Sequence, residues 1–136
     1  MAHKNKTLAT ALALFLGTLG AHRFYLHGPV DRLALLHASS LPIAALIYSK
    51  FDGINAFYVL LPLLVSGVIA FIAALVIGLT PDDKWDARFN RDSNTQSRSS
   101  WVLAVLLVAT LLVGTTVLIG TIARLFDLMY TGGAYG

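Results

Sequence analysis

The strongest constraint on this chain is a run of 29 residues, 53–81, that contains no Asp, Lys or Arg. A second uncharged run covers the 25 residues 99–123. Each exceeds the roughly 20 apolar residues that carry a helix across the ~30 Å hydrocarbon core of a bilayer. Two shorter uncharged runs precede them, 7–21 with 15 residues and 33–49 with 17. The charges gather between these runs: at the N-terminus, near 22–32, around 50–52 and over 82–98, with Arg124 and Asp127 near the end. A bilayer imposes such segregation, because a charge at its centre costs about 3 kcal/mol or more. Composition agrees, with 57% hydrophobic residues, 12% charged, no Glu and a mean hydropathy of +0.73. Soluble domains carry about 25% charged residues.

These runs read as an all-α membrane protein with about four transmembrane helices, the first two forming a short hairpin. The expected spans are about 7–26, 32–49, 54–79 and 100–126. The first pair makes a unit over 1–52 and the second a unit over 53–136, whose two helices are joined by a polar interfacial linker at 80–99. A β-barrel is set aside, since the runs lack the apolar–polar alternation of barrel strands. Lys4 and Lys6 before an apolar run look like the start of a signal peptide. No Ala-x-Ala site and polar mature region follow, so a retained helix is expected. Pro42 and Pro62 fall inside spans, where neighbours can satisfy the freed carbonyls, and each is expected to kink its helix.

An even number of spans puts both termini on one face with Lys50, and the turns 22–32 and 80–99 on the other. The Lys and Arg of those turns then outnumber the rest, which favours turns inside, at the cytoplasm, and termini outside. Phe24, Tyr25, Trp85 and Trp101 are expected in one aromatic belt, and Tyr48, Phe51, Phe57, Tyr58 and Tyr130 in the other.

Ala9, Ala13, Gly17 and Ala21 recur every fourth residue, as do Ser66, Ala70, Ala74 and Gly78. Small residues at that interval make flat ridges on which backbones approach closely. Ala13, Gly17, Gly20 and Ala21 are thus candidates for helix packing, within the chain or in a homo-oligomer. Residues 80–89 read as a short helix capped by Thr80, with Pro81 in its first turn and a Trp85–Phe89 stripe lying on the membrane. Arg124 and Asp127 are expected to pair, and the tail 132–136 to fray.

Residues 17–26 read Gly-x-x-Gly-x-His-Arg-Phe-Tyr-Leu. This run, seven fixed residue types in ten positions, resembles the signature of the TM-two domain family of two-span membrane hairpins. The resemblance covers about residues 5–50. The segment PDDKWDARFN with its following span also resembles the extension found in bacterial members. The family usually has Gly directly after the Leu, whereas this chain has His27 and then Gly28. Animal members carry Asp-Arg-Phe where His22-Arg23-Phe24 stands, which removes the acid of that receptor-like triplet. The resemblance implies a bacterial inner-membrane protein and no catalytic mechanism.

The residues themselves nominate the turn as an interaction site. His22 and Arg23 place donors at headgroup depth for a lipid phosphate, a partner's carboxylate or the helix's own carbonyls, while Phe24 and Tyr25 set the depth. The competing structural reading is an ordinary anchored hairpin turn. Absence of cysteine excludes disulfides, thiolate metal sites and cysteine nucleophiles. A net charge of +3, dispersed along the chain, gives no basis for nucleic-acid binding. No cofactor is expected: among His22, His27 and His37 only His37 lies in a span, and a haem needs a second ligand at its depth. The first functional reading is therefore a non-enzymatic membrane adaptor or regulator whose partners are the bilayer, another membrane protein or a second copy. A small oligomeric transporter around His37, Asp52, Thr110, Thr115 and Thr116 is an alternative. A lipid-modifying enzyme is a third, since Asp82-Asp83-x-x-Asp86 has the form of a magnesium–diphosphate motif.

Overall fold

The computed structural model describes residues 3–135, which leaves Gly136 of the expected tail outside the described residues. Every regular element is helical among them. Helix α1, Lys6–Leu16, starts where the side-chain oxygen of Asn5 accepts the Leu8 N–H at 3.1 Å, a standard N-cap. Its length of about 16 Å is roughly half the hydrocarbon core. A 3-10 turn over Gly17–Leu19 follows, and Gly20 then takes φ 80, a left-handed conformation open to glycine at no steric cost. The chain reverses there. Helix α2, Ala21–His27, runs back until the Asn5 N–H donates to the Tyr25 hydroxyl at 2.8 Å. The continuous helix expected over 7–26 is therefore a helical hairpin that returns to its starting end.

Three helices are long and apolar enough to cross a membrane, with the shorter apolar segment Lys6–Leu19 beside them. The chain is a multi-pass, all-α membrane protein. Helices α3, Arg32–Ala38, and α4, Ser40–Lys50, form one 19-residue crossing. It is interrupted at Ser39, three residues before Pro42, as expected where a proline denies the preceding turn a donor. Pro62, in contrast, sits inside an unbroken helix α5, Ala56–Leu79. Helix α7, Trp101–Thr131, runs antiparallel to α5: Gly78 lies against Leu103 and Leu107, and Gly114 against Phe71.

The two small-residue ridges meet each other inside the chain. A Cβ on Gly17 would stand 2.5 Å from the Cβ of Ala70, closer than real atoms approach. Ala9, Ala13 and Ala74 are buried in the same contact with Ile77 and Trp85. Ala21 lies beyond the reversal and leaves the ridge, and Gly78 turns to α7 instead.

The end where α5 finishes is closed by helix α6, Asp82–Phe89, and by the extreme N-terminus. Trp85 is 1% exposed and donates its indole N–H to the Lys4 carbonyl at 2.9 Å. The stripe expected to lie on the membrane thus faces the protein, with the Phe89 ring tilted against that of Trp85, centroids 4.4 Å apart. Thr80 does not cap α6, because its hydroxyl donates back to the Val76 carbonyl at 2.6 Å. Lys6, only 4% exposed, donates to the Thr80 carbonyl at 2.8 Å and pairs with Asp82. Lys4 donates to the Tyr25 carbonyl at 2.7 Å, and Asn90 holds the Lys4 backbone from both sides. Lys4 and Lys6 therefore share an end with the turns 22–32 and 80–99. The sequence reading had them on opposite faces, because it counted the first segment as a crossing.

At the other end of α7, Arg124 pairs with Asp127 at 2.5 Å, as expected. The tail expected to fray is tethered up to Tyr135: Ala134 donates to the Thr131 hydroxyl at 3.0 Å and Tyr135 to the Asp127 carboxylate at 3.2 Å.

Candidate functional site

Reversing a helix in an apolar setting frees backbone carbonyls that need donors. The carbonyl of Thr18, in the turn before Gly20, finds them on two other elements. Ser66 of α5 donates its hydroxyl to it at 2.6 Å, and Ser40 of α4 reaches it at 3.4 Å while donating to the His37 carbonyl at 2.7 Å. His37 Nδ1 stands 2.7 Å from the Ser66 oxygen. The His22 ring meets His37 edge-on, with centroids 5.5 Å apart. A polar seam thus joins the hairpin, α3, α4 and α5 at the hairpin tip.

Hydrogen-bond accounting settles the state of this seam. Ser66 has one hydroxyl proton, and an O···O contact of 2.6 Å to Thr18 requires it there. Ser66 must then accept from His37, so the proton of the neutral ring is on Nδ1 and Nε2 is a bare acceptor. Among the described residues, Nδ1 of His22 is the only buried side-chain nitrogen or oxygen without a hydrogen-bond partner.

The four residues nominated in the turn occupy different surroundings. His22 points inward and is 2% exposed. Arg23 grips Asp31 through two bonds, Nε to Oδ2 at 2.6 Å and Nη2 to Oδ1 at 3.1 Å. The Asp31 carboxylate also accepts the Ala34 N–H at 2.8 Å and so caps α3. Arg23 hydrogen bonding holds the Asp31 carboxyl down to about 2, below the usual carboxylate range. Phe24 is half-buried, and Tyr25 is tied to Lys4 and Asn5. Of the packing candidates, Ala13 and Gly17 lie in the α1–α5 contact, Gly20 makes the reversal against α3, and Ala21 begins α2.

This geometry of a short apolar hairpin, a Gly20 reversal and an Arg-Phe-Tyr turn stapled to the next helix coincides with a family match. A family model described as the TM2 domain matches residues 2–49. The chain carries a TM2 domain. The match takes in the hairpin, α3 and almost all of α4. No curated protein and no solved structure matches the chain.

Outside the TM2 domain, the three aspartates of α6 are placed differently from one another. Asp82 binds Lys6 and both the N–H and hydroxyl of Ser99. Asp86 binds the N–H and hydroxyl of Ser97 and the side-chain amide of Asn90. Ser97 and then Asn90 lower the Asp86 carboxyl to about 2, and Lys6 first of all lowers that of Asp82. Asp83 is exposed. Of the residues considered for transport, Thr110 and Thr116 donate to carbonyls of their own helix, Thr115 and Asp52 are exposed, and His37 belongs to the seam.

Between the α3–α4 crossing and α5 runs a groove of about 600 Å³. Leu36, Ile43, Leu61 and Val65 wall it, and His22 and His37 lie on its polar side. From sequence, His37 reads as a buried polar residue bonded to a neighbouring helix, and it does meet Ser66 of α5; Ser40, Ser66 and Thr18 are not named around it at that stage. A signal was present: each is a hydroxyl residue inside an otherwise apolar run. Asp31 was also readable, as an Asp directly before an apolar helix.

Proposed function

We propose that this TM2 domain chain is a non-enzymatic interaction protein of a bacterial cytoplasmic membrane, an adaptor or regulator that works through its capped end. The observation that carries this reading is the gathering of charge at that end. The N-terminus, the 22–32 turn, α6 and the linker to α7 come together there through the bonds of Lys4, Lys6 and Tyr25. Lys4, Lys6, Arg23, Arg32, Lys84, Arg88, Arg91 and Arg98 fall on this side, against Lys50 and Arg124 on the other. Such a bias is the mark of a cytoplasmic face.

Within the cap, the internal cations are committed to structure while Arg32, Lys84, Arg88, Arg91 and Arg98 are exposed. The turn from His22 to Tyr25 shapes this face, and the exposed cations make the contact with an acidic segment of a partner protein. The bonds that occupy Asp82 and Asp86 support a structural role for α6 over the binding of a metal–diphosphate.

The test is photocrosslinking in membranes from positions 84 and 95, followed by mass spectrometry. A recurring partner whose capture drops on the order of tenfold in the triple Arg88→Ala, Arg91→Ala, Arg98→Ala variant is expected, because several charged contacts are lost together. Capture that is unchanged in that variant, at equal protein level, sinks the proposal.

A further inference from the structure

The groove beside the polar seam has the attributes of a ligand site. Its volume of about 600 Å³ lies within the roughly 300–1,000 Å³ typical of small-molecule sites. Leu36, Ile43 and Val65 on its walls are half or more exposed at the protein surface or close to it, at 66%, 44% and 50%. The groove therefore opens sideways, on the helix surfaces that meet the acyl chains, and its natural occupant enters from the bilayer. An acyl chain alone satisfies the walls but not the polar side.

The polar side specifies the rest of the ligand. His37 spends Nδ1 on Ser66, and its Nε2 has no protein donor. That nitrogen is not among the buried unpartnered atoms, so it is reached from the groove that the ring lines. A bare imidazole nitrogen in an apolar wall calls for a donor. His22 lines the same groove, is 98% buried by its 2% exposure, and has Nδ1 unpartnered. That nitrogen lies beside Gly17, so the polar contact to a ligand rests on His37. A hydroxyl answers it, donating its proton to His37 Nε2.

We propose that the groove binds a membrane amphiphile with a free hydroxyl, its chain along Leu36, Ile43, Leu61 and Val65 and its O–H on Nε2 of His37. Carboxylates and phosphates fit less well, because they bring no proton to that nitrogen at neutral pH and Arg23 beside the groove is already neutralised by Asp31.

The experiment uses the whole chain in phosphatidylcholine vesicles. The probes are a long-chain alcohol carrying a diazirine in its chain and the methyl ether of that alcohol, which keeps the chain and lacks the proton. Saturable labelling of peptides spanning 36–43 and 61–65 by the alcohol is expected, on the order of tenfold above the ether, the effect of one hydrogen bond to a buried acceptor. This comparison reads the bond without altering the protein. Ile43→Trp, a change at a partly exposed wall position that makes none of the seam's hydrogen bonds, fills the groove and should abolish labelling. His37→Phe should bring the alcohol down to the level of the ether. Equal labelling by alcohol and ether, labelling that maps elsewhere, or labelling undiminished in Ile43→Trp would each overturn the proposal and leave an ordinary lipid-filled crevice.

Discussion

At the scale of single residues, Gly20 does work that no other side chain can take over. Gly20 needs its left-handed φ of 80, and a Cβ there would stand 2.7 Å from the Ala34 carbonyl oxygen. Gly20→Ala meets a left-handed penalty of about 1–2 kcal/mol before that clash is counted. The expected outcome is loss of the Asn5–Tyr25 contact and a Tm in detergent lower by several degrees. Gly78→Ala serves as the control: the nearest atom to its added Cβ is the flexible end of Leu107, which can move aside. A Gly20→Ala chain as stable as Gly78→Ala would refute the account of the reversal. The sequence reading gave Gly17 a close helix contact, and in the structure it stands against Ala70. It gave Gly20 the same role, because a glycine that turns the chain and one that packs a helix are written alike. The inward turn of His22 and the commitment of Arg23 to Asp31 were hidden for a related reason. Both depend on the reversal, and no local pattern announces it.

At the scale of elements, α6 and the N-terminus act as one lid. Trp85 supplies the apolar part and Lys6 the polar part, which satisfies a carbonyl at the C-terminal end of α5 where the helix dipole favours a cation. Trp85→Ala is expected to cost about 3–5 kcal/mol, and Lys6→Met about 1.5–3 kcal/mol through a lost charged hydrogen bond. Hydrogen exchange should show both as faster exchange confined to residues 3–9 and 82–99. Exchange rising evenly over α5 and α7 instead would mean there is no separate lid. Acid should loosen the same element. Asp82 and Asp86 have folded pKa values below their unfolded ones, Asp86 at about 2. Their contribution is therefore complete above about pH 4 and is lost as pH falls towards 2. In a Trp101→Phe background, Trp85 emission should shift to the red over that window and stay constant from pH 5 to 8. The long crossings and the existence of α6 were legible because the solvent selects them directly. The face that α6 buries was not, since Trp85 and Phe89 suit a membrane interface and a protein crevice equally well.

At the scale of the whole molecule, the hairpin changes the parity of the crossings. Three crossings by the long apolar helices would put the N-terminus with the turns 22–32 and 80–99 and the C-terminus on the other face, where four would keep the termini together. The chain has no cysteine, so single cysteines at positions 3, 95 and 135 can be labelled without background. Positions 3 and 95 are expected to react only after the cytoplasmic face is opened, and 135 in intact cells or spheroplasts. Labelling of 3 and 135 from one side would reinstate an even count. The modest charge bias becomes a strong one once Lys4 and Lys6 share an end with the turns 22–32 and 80–99, a contact that hydropathy alone does not reveal.

The seam that holds the hairpin tip joins Thr18 to Ser66, 48 residues apart, and the lid joins Lys6 to Asp82, 76 residues apart. During synthesis the N-terminal segment therefore emerges long before the helix it rests on exists. A stretch of about half a bilayer's depth, with unsatisfied carbonyls at its tip, has no stable seat in lipid alone. It must wait at the interface or in the insertion machinery until α5 has been delivered. This segment is made before the helix that seats it, and truncations that end before α5 are expected to leave it unseated.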